Sequence, residues 1–165
     1  MMRVHLSLGS NLGDRPARLR EALRALGHLE GTQLLVLSRC YETEPLGPAE
    51  QPAFLNLAAE IETALTPLEL LNAVKDIEAR LGRTASERWG PRVIDIDLIL
   101  WGGRVMADAQ LTLPHREFRG RAFVLRPLAE IAPDAIDPVT GKTVAELAAA
   151  PEAQGWVEQR DYIAP

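Results

Sequence analysis

Apolar residues in this chain switch repeatedly between a spacing of two and the roughly 3.6-residue period of a helix, and the order of those switches restricts the fold more than any other feature. Val4, Leu6 and Leu8 alternate as in a strand. GSNLGD then reads as a turn, and Asp14 is placed to cap a helix with the stripe Leu19, Ala22, Leu23 and Leu26, ended by Gly27. TQLLVLSRCY reads as a second strand and ETEPLGPAEQP as a long proline-rich loop. In AFLNLAAEIET, Leu55, Leu57, Ala59 and Ile61 share one face; Phe54, Asn56, Ala58, Glu60 and Glu62 share the other. Thr66-Pro-Leu-Glu69 is a capping box with proline at the first helical position, and Leu70, Val74, Ile77 and Leu81 form the stripe that runs to Gly82. RTASERWGPR reads as a loop, after which Ile94, Ile96, Leu98 and Leu100 alternate in a further strand.

Strand, helix, strand, strand, helix, strand is the order of a ferredoxin-like unit. The expected fold class is α+β: a ferredoxin-like β-α-β-β-α-β antiparallel sheet with helices packed on its apolar face, plus C-terminal additions. Those additions are short strands or turns after residue 101, the segment PHREFRGRAFVLRPL, and a small helix near TVAELAAA. A length of 165 residues without repeat or linker predicts a single domain, 1–165. The face away from the helices then carries Phe54, Asn56, Asp95 and Asp97.

Those two aspartates are the costly feature. On a strand, residues two apart stand roughly 6.6 Å from each other and point the same way. One reading is a solvated face with arginine ion pairs. The other is magnesium, a hard cation often held by one or two carboxylates together with substrate phosphates. The charge distribution bears on this. Net charge is −5, yet residues 80–126 hold 9 of the 18 basic and 5 of the 23 acidic residues. An anionic partner would go to that segment, whereas the chain as a whole does not carry the charge of a nucleic-acid binder. No GxxxxGK[ST] loop occurs, which excludes a P-loop nucleotide site.

In PHREFRGR, His115 stands among Arg116, Arg119 and Arg121, company that favours a phosphate site over a plain surface histidine; His5 and His28 have none. Trp89 either packs in its loop or anchors a nucleotide. Phe54, two residues from Asn56, either caps the core or stacks a flat ligand whose edge the amide reads.

LGSNLGD, YETEPLG, QPAFLN, GRTASERWGPRVIDIDLIL and LPHREFRGRAFVLRPLAEIAP, in this order, resemble the 6-hydroxymethyl-7,8-dihydropterin pyrophosphokinases of folate biosynthesis. The resemblance runs from about residue 3 to residue 140. It implies transfer of pyrophosphate from ATP to the pterin hydroxymethyl group, leaving AMP. It implies that Asp95 and Asp97 hold two magnesium ions and that Arg83, Arg92, His115 and Arg121 contact phosphates. Arg88 and Trp89 would lie in a mobile loop closing over ATP; Glu78, Leu98 and Thr112 match positions lining the adenosine site. Thr43, Leu46 and Asn56 match contacts to the pterin edge, and Phe54 and Phe123 match the aromatics that sandwich its ring. Departures from the pattern are Ala85 where many relatives carry a second arginine after Arg83, Gln110 and Arg116 where some members have arginine and tyrosine, and Glu44 in place of a frequent proline.

Two other classes use part of the same pattern. A metal-dependent phosphodiesterase or nuclease would employ the aspartates, and a ferredoxin-like RNA-binding domain would employ exposed sheet aromatics. Neither accounts for YETEPLG and FLN together. The expected partners are therefore ATP and the pterin, with no nucleic acid and no membrane, and with a monomer favoured. One cysteine, Cys40, excludes an internal disulfide. The absence of a leader-like apolar run makes the expected location cytoplasmic. The final PEAQGWVEQRDYIAP lies beyond the shared pattern and carries no assigned role.

Overall fold

The computed structural model describes residues 1–45, 50–82 and 93–165. Strand β1 (Met2–Ser10) leads into helix α1 (Arg15–Gly27), strands β2 (Thr32–Leu37), β3 (Tyr41–Thr43) and β4 (Phe54–Thr63), helix α2 (Pro67–Arg80) and strand β5 (Asp95–Trp101). A small hairpin, β6 (Met106–Ala107) with β7 (Thr112–Leu113), precedes a 3-10 turn at Phe118–Gly120, helices α3 (Ala122–Ile131) and α4 (Val144–Ala149), and strand β8 (Val157–Gln159). The main sheet runs β5-β1-β4-β3-β8, with β2 also paired to β4, and its pairs are antiparallel. This is the expected ferredoxin-like α+β order.

The local signals explain the helix starts. The Asp14 carboxylate accepts the Ala17 N–H at 3.1 Å. Thr66 and Glu69 exchange two bonds, Glu69 N–H to Thr66 Oγ at 3.3 Å and Thr66 N–H to the Glu69 carboxylate at 2.8 Å. Each cap satisfies N–H groups that the first helical turn leaves without a partner. The stripes of α1 and α2 then meet Val4, Leu6, Leu8, Leu57, Ile61 and Ile96 in one apolar core.

Four features differ from the sequence reading. First, helices cover both faces of the sheet. A second apolar cluster, including Ala58, Ile99, Phe118, Val124, Leu125 and Leu128, seats α3 and α4 on the face opposite α1 and α2. Second, TQLLVLSRCY is two strands. Buried Ser38 stops the run: its N–H donates to Ala58 O at 2.9 Å, while its hydroxyl accepts the Ala58 N–H at 2.8 Å. Third, Gly9 and Ser10 belong to β1 rather than to the following turn, because β4 pairs with both. Fourth, the C-terminal stretch extends the sheet, with β8 pairing along β3. No helix among the described residues is long and apolar enough to cross a membrane.

Candidate active site

The register of the sheet brings the singled-out residues into one place. Asp95 of β5 lies opposite Gly9 of β1, and Gly9 lies opposite Asn56 of β4. Directly opposed residues share a face, so the aspartate and the amide stand in one row, two strand spacings or about 10 Å apart. Asp97 forms the next row with Ser7 and Ala58 on the same face. Phe54, opposite Thr43, stands beyond Asn56. Asp95, Asp97 and Phe54 are half-buried, at the part of this face that the α3–α4 cluster leaves uncovered.

Asn56 is 3% exposed and held in a defined orientation. Thr43 Oγ donates to its Oδ1 at 2.6 Å, and its Nδ2 donates to Leu8 O at 3.3 Å. The Leu8 carbonyl accepts only, which places the amide nitrogen on that side. These bonds use one of the amide's two donors and one of its acceptor sites. Thr43 itself is fully buried, so its hydroxyl acts through Asn56. Gly9 completes the arrangement: a Cβ there would stand 2.3 Å from Asn56 Nδ2 and 3.4 Å from Phe54 Cδ1.

The other wall comes from the segment before α3. His115 is tied to β5 by its N–H, which donates to Ile99 O at 2.9 Å. Its Nδ1 accepts the Glu117 N–H at 3.1 Å. Burial, reinforced by Arg121 and outweighing Glu117 and Asp95, pushes its pKa down to about 4. The ring is therefore neutral near pH 7, and with Nδ1 accepting, its proton resides on Nε2, ready to donate to an anion. Arg121 precedes α3, pairs with Glu117, and holds its guanidinium 5.5 Å from the centroid of the half-buried Phe123 ring. Asp95 and Arg121 both act electrostatically on His115, and Asp97 stands two residues along the strand from Asp95; two hard carboxylates, a neutral imidazole and an arginine form a set suited to a polyphosphate.

The expected cation fits this donor set. Among the described residues no group of three or more His, Cys, Asp or Glu could enclose a metal. Asp95 and Asp97 offer two carboxylates from one rigid strand, as many as magnesium needs when substrate phosphates and water complete its shell.

Other singled-out residues are placed differently. Arg119 does not join the site: its Nε and Nη2 donate to the buried Asp137 carboxylate at 2.5 and 2.9 Å. Arg116 and Gln110 are exposed and Thr112 lies half-buried in β7. Leu98 is buried in the core under α1 and α2. Glu78, 5% exposed on α2, accepts the Ile96 N–H at 2.8 Å. Leu46, Arg83, Ala85, Arg88, Trp89 and Arg92 lie outside the described residues. Gly9 and Glu117 were missed in the sequence reading. A glycine inside a strand marks close backbone approach, but Gly9 reads as a turn residue until β1 is known to reach Ser10.

Comparison with known proteins identifies the family. The family model described as 7,8-dihydro-6-hydroxymethylpterin-pyrophosphokinase (HPPK) matches residues 5–133. The 2-amino-4-hydroxy-6-hydroxymethyldihydropteridine pyrophosphokinase of Methylorubrum extorquens is 48% identical over 155 residues, covering 94% of this chain and 97% of that protein. The enzyme of the same name from Pseudomonas aeruginosa is 43% identical, covering 94% and 95%. Among solved structures, Plasmodium falciparum HPPK-DHPS with SDX-DHP aligns with a TM-score of 0.71 at 16% identity, over 90% of this chain. The likeness to it is one of fold, and this chain spans 43% of that longer one.

Proposed function

The chain belongs to the 6-hydroxymethyl-7,8-dihydropterin pyrophosphokinase family, and from that premise we propose how its residues divide the work. The enzyme transfers pyrophosphate from ATP to the hydroxymethyl group of 6-hydroxymethyl-7,8-dihydropterin, giving the pterin diphosphate and AMP. The hydroxymethyl oxygen attacks the β-phosphorus in line. The bond from that phosphorus to the oxygen bridging it to the α-phosphorus breaks, AMP leaves with that oxygen, and the hydroxyl proton passes to water.

The row Asp95–Gly9–Asn56 carries the assignment, because it sets phosphate-side and pterin-side chemistry about 10 Å apart on one face. Asp95 and Asp97 would hold the divalent metal, as two magnesium ions. Held there, such ions would neutralise negative charge on the phosphates. His115, through Nε2, and Arg121 bind phosphate oxygens, and Arg83, Arg88, Trp89 and Arg92 add to the ATP side. Asn56 reads the pterin edge, supported by Thr43 and sharing that role with Leu46, while Phe54 and Phe123 hold the ring. Glu78, Leu98 and Thr112 belong to the adenosine side, Glu78 by holding the Ile96 N–H of β5 and Leu98 by anchoring that strand in the core. Positioning and charge neutralisation then supply most of the rate, without a covalent intermediate. Residues 1–165 form one pyrophosphokinase domain, working in the cytoplasm as a monomer without nucleic acid.

The test is AMP formation from ATP that depends on the reduced hydroxymethylpterin. Asp95→Ala and Asp97→Ala should each lower the rate by at least roughly 10²–10³, the loss that follows removal of one electrostatic contact at a developing charge, with circular dichroism unchanged. A near-normal rate in either variant would falsify the metal assignment.

A further inference from the structure

The stretch after α4 lies outside the residues 5–133 that the family model matches, yet it is bonded to both walls of the site. On one side, Gln154 forms a parallel bridge with Arg121. Ala122 N–H donates to Gln154 O at 3.0 Å, and Gln154 N–H donates to Gly120 O at 3.2 Å. On the other side, Glu44 N–H donates to Trp156 O at 3.2 Å. From there β8 follows β3, with Val157 opposite Thr43 and Gln159 opposite Tyr41. Arg160 N–H to Cys40 O at 2.7 Å and Cys40 N–H to Asp161 O at 3.0 Å continue the ladder.

Only Gly155 separates the two attachments. A two-residue step spans at most about 7 Å, so this connection has no slack. Gly155 makes the turn with φ +106°, a backbone conformation that L side chains rarely adopt. One wall so joined carries Arg121 and Phe123; the other carries Thr43, whose hydroxyl orients Asn56. Asp95 and Asp97 stand on β5 at the opposite end of the sheet order, and His115 hangs from β5 through Ile99. None of these three is bonded through its backbone to the C-terminal stretch.

We propose that residues 154–159 are a strap that sets the separation of the Phe123 wall from the Thr43–Asn56 wall, with Gly155 as a positioning residue for the pterin ring. This rests on the pterin site argued above. The strap acts chiefly on the pterin half of the site; of the residues given to the phosphates it is joined only to Arg121, through the bridge to Gln154.

The experiment uses the full chain with Gly155→Ala, which strains the turn, Gln154→Pro, which removes the N–H bonded to Gly120, and Gln154→Ala, which keeps both backbone bonds. Calorimetry measures binding of a pterin analogue lacking the hydroxyl and, separately, of a non-hydrolysable ATP analogue. Gly155→Ala and Gln154→Pro should weaken pterin binding at least about fivefold and ATP-analogue binding clearly less, because Arg121 is the one phosphate contact joined to the strap, whereas Gln154→Ala should bind pterin as the parent does. A Phe123→Ala background provides the second readout: the effect of Gly155→Ala should shrink there, because coupled residues are not additive. Full additivity overturns the strap, as does equal loss of both ligands. If Phe123→Ala alone weakens pterin binding while Gly155→Ala and Gln154→Pro do not, the strap fails and the pterin site stands. If Phe123→Ala leaves pterin binding intact, the pterin site itself has been misplaced.

Discussion

Gly9 and Asn56 face each other across β1 and β4, and the space a Cβ would occupy on Gly9 is already filled by the Asn56 amide, 2.3 Å away. The amide cannot simply swing aside, because Thr43 and Leu8 hold both its ends. Gly9→Ala should therefore displace Asn56 and break at least one of these bonds. Overpacking of this kind costs about 1–3 kcal/mol of stability. Pterin affinity should fall about tenfold or more, since polar groups on the ring lose their partner, while binding of an ATP analogue stays close to the parent's. Calorimetry with each ligand checks this, and unchanged pterin affinity would remove Asn56 from the pterin edge.

Glu78 supports the strand that carries Asp95 and Asp97. Its carboxylate accepts the N–H of Ile96, the residue between Asp95 and Asp97. Among the described residues β5 is at the edge of the sheet, and Glu78 takes the N–H there. Glu78→Ala should cost about 1–3 kcal/mol by leaving a buried donor unpaired, and should lower turnover as the two aspartates lose their fixed spacing. Glu78→Gln keeps a carbonyl acceptor and should lose less of both. Denaturant unfolding together with initial rates tests the pair. Equal stability of Glu78→Ala and the parent would show that the bond supports nothing.

His115 gives stability a pH dependence of known sign. Burial and Arg121 depress its pKa from 6.5 to about 4 in the folded chain. Between those values the unfolded chain binds more protons than the folded one, so stability rises with pH across this window and is lost as pH falls through it. Below about 4 both states are protonated and this contribution is constant. Unfolding midpoints measured from pH 7 down to 4 should fall more steeply for the parent than for His115→Asn. Parallel curves would mean that the imidazole is not held neutral.

Asp137 and Arg119 form a structural knot outside the site. Burial alone would raise the Asp137 pKa. The Arg119 guanidinium, the Thr140 hydroxyl and the Val139 N–H outweigh it and hold the group down at about 2. Its stabilising effect is complete above the ordinary value of 3.8 and is lost as pH falls through about 2. Arg119→Ala should destabilise the protein by about 3 kcal/mol, because it leaves a fully buried carboxylate without its cation. Turnover per folded molecule should stay near the parent value. A selective loss of ATP affinity in Arg119→Ala, with normal stability, would instead return this arginine to the phosphate site.

The sequence by itself determined what depends on neighbours along the chain. Alternation placed Leu55, Leu57 and Ile61 on one face and Phe54 and Asn56 on the other; helical spacing and the Asp14 and Thr66 caps marked α1 and α2; and two residues of separation put Asp95 and Asp97 side by side. Each is a relation within a few residues, set by backbone geometry alone. Tertiary structure decided which of these groups meet. By local pattern Arg119 and Arg121 look alike in PHREFRGR, and only the family resemblance singles out Arg121; in the fold one is claimed by Asp137, 18 residues away, and the other stands over Phe123. Gly9 became a site residue only through the register that sets it between Asp95 and Asn56. The break at Ser38 needed Ala58, and the C-terminal stretch needed β3 as an edge to pair with. Such outcomes depend on strand pairing and on the packing of α3, and no local period encodes either: the same side chain is a surface charge, a structural clasp or a ligand according to what the folded chain brings opposite it.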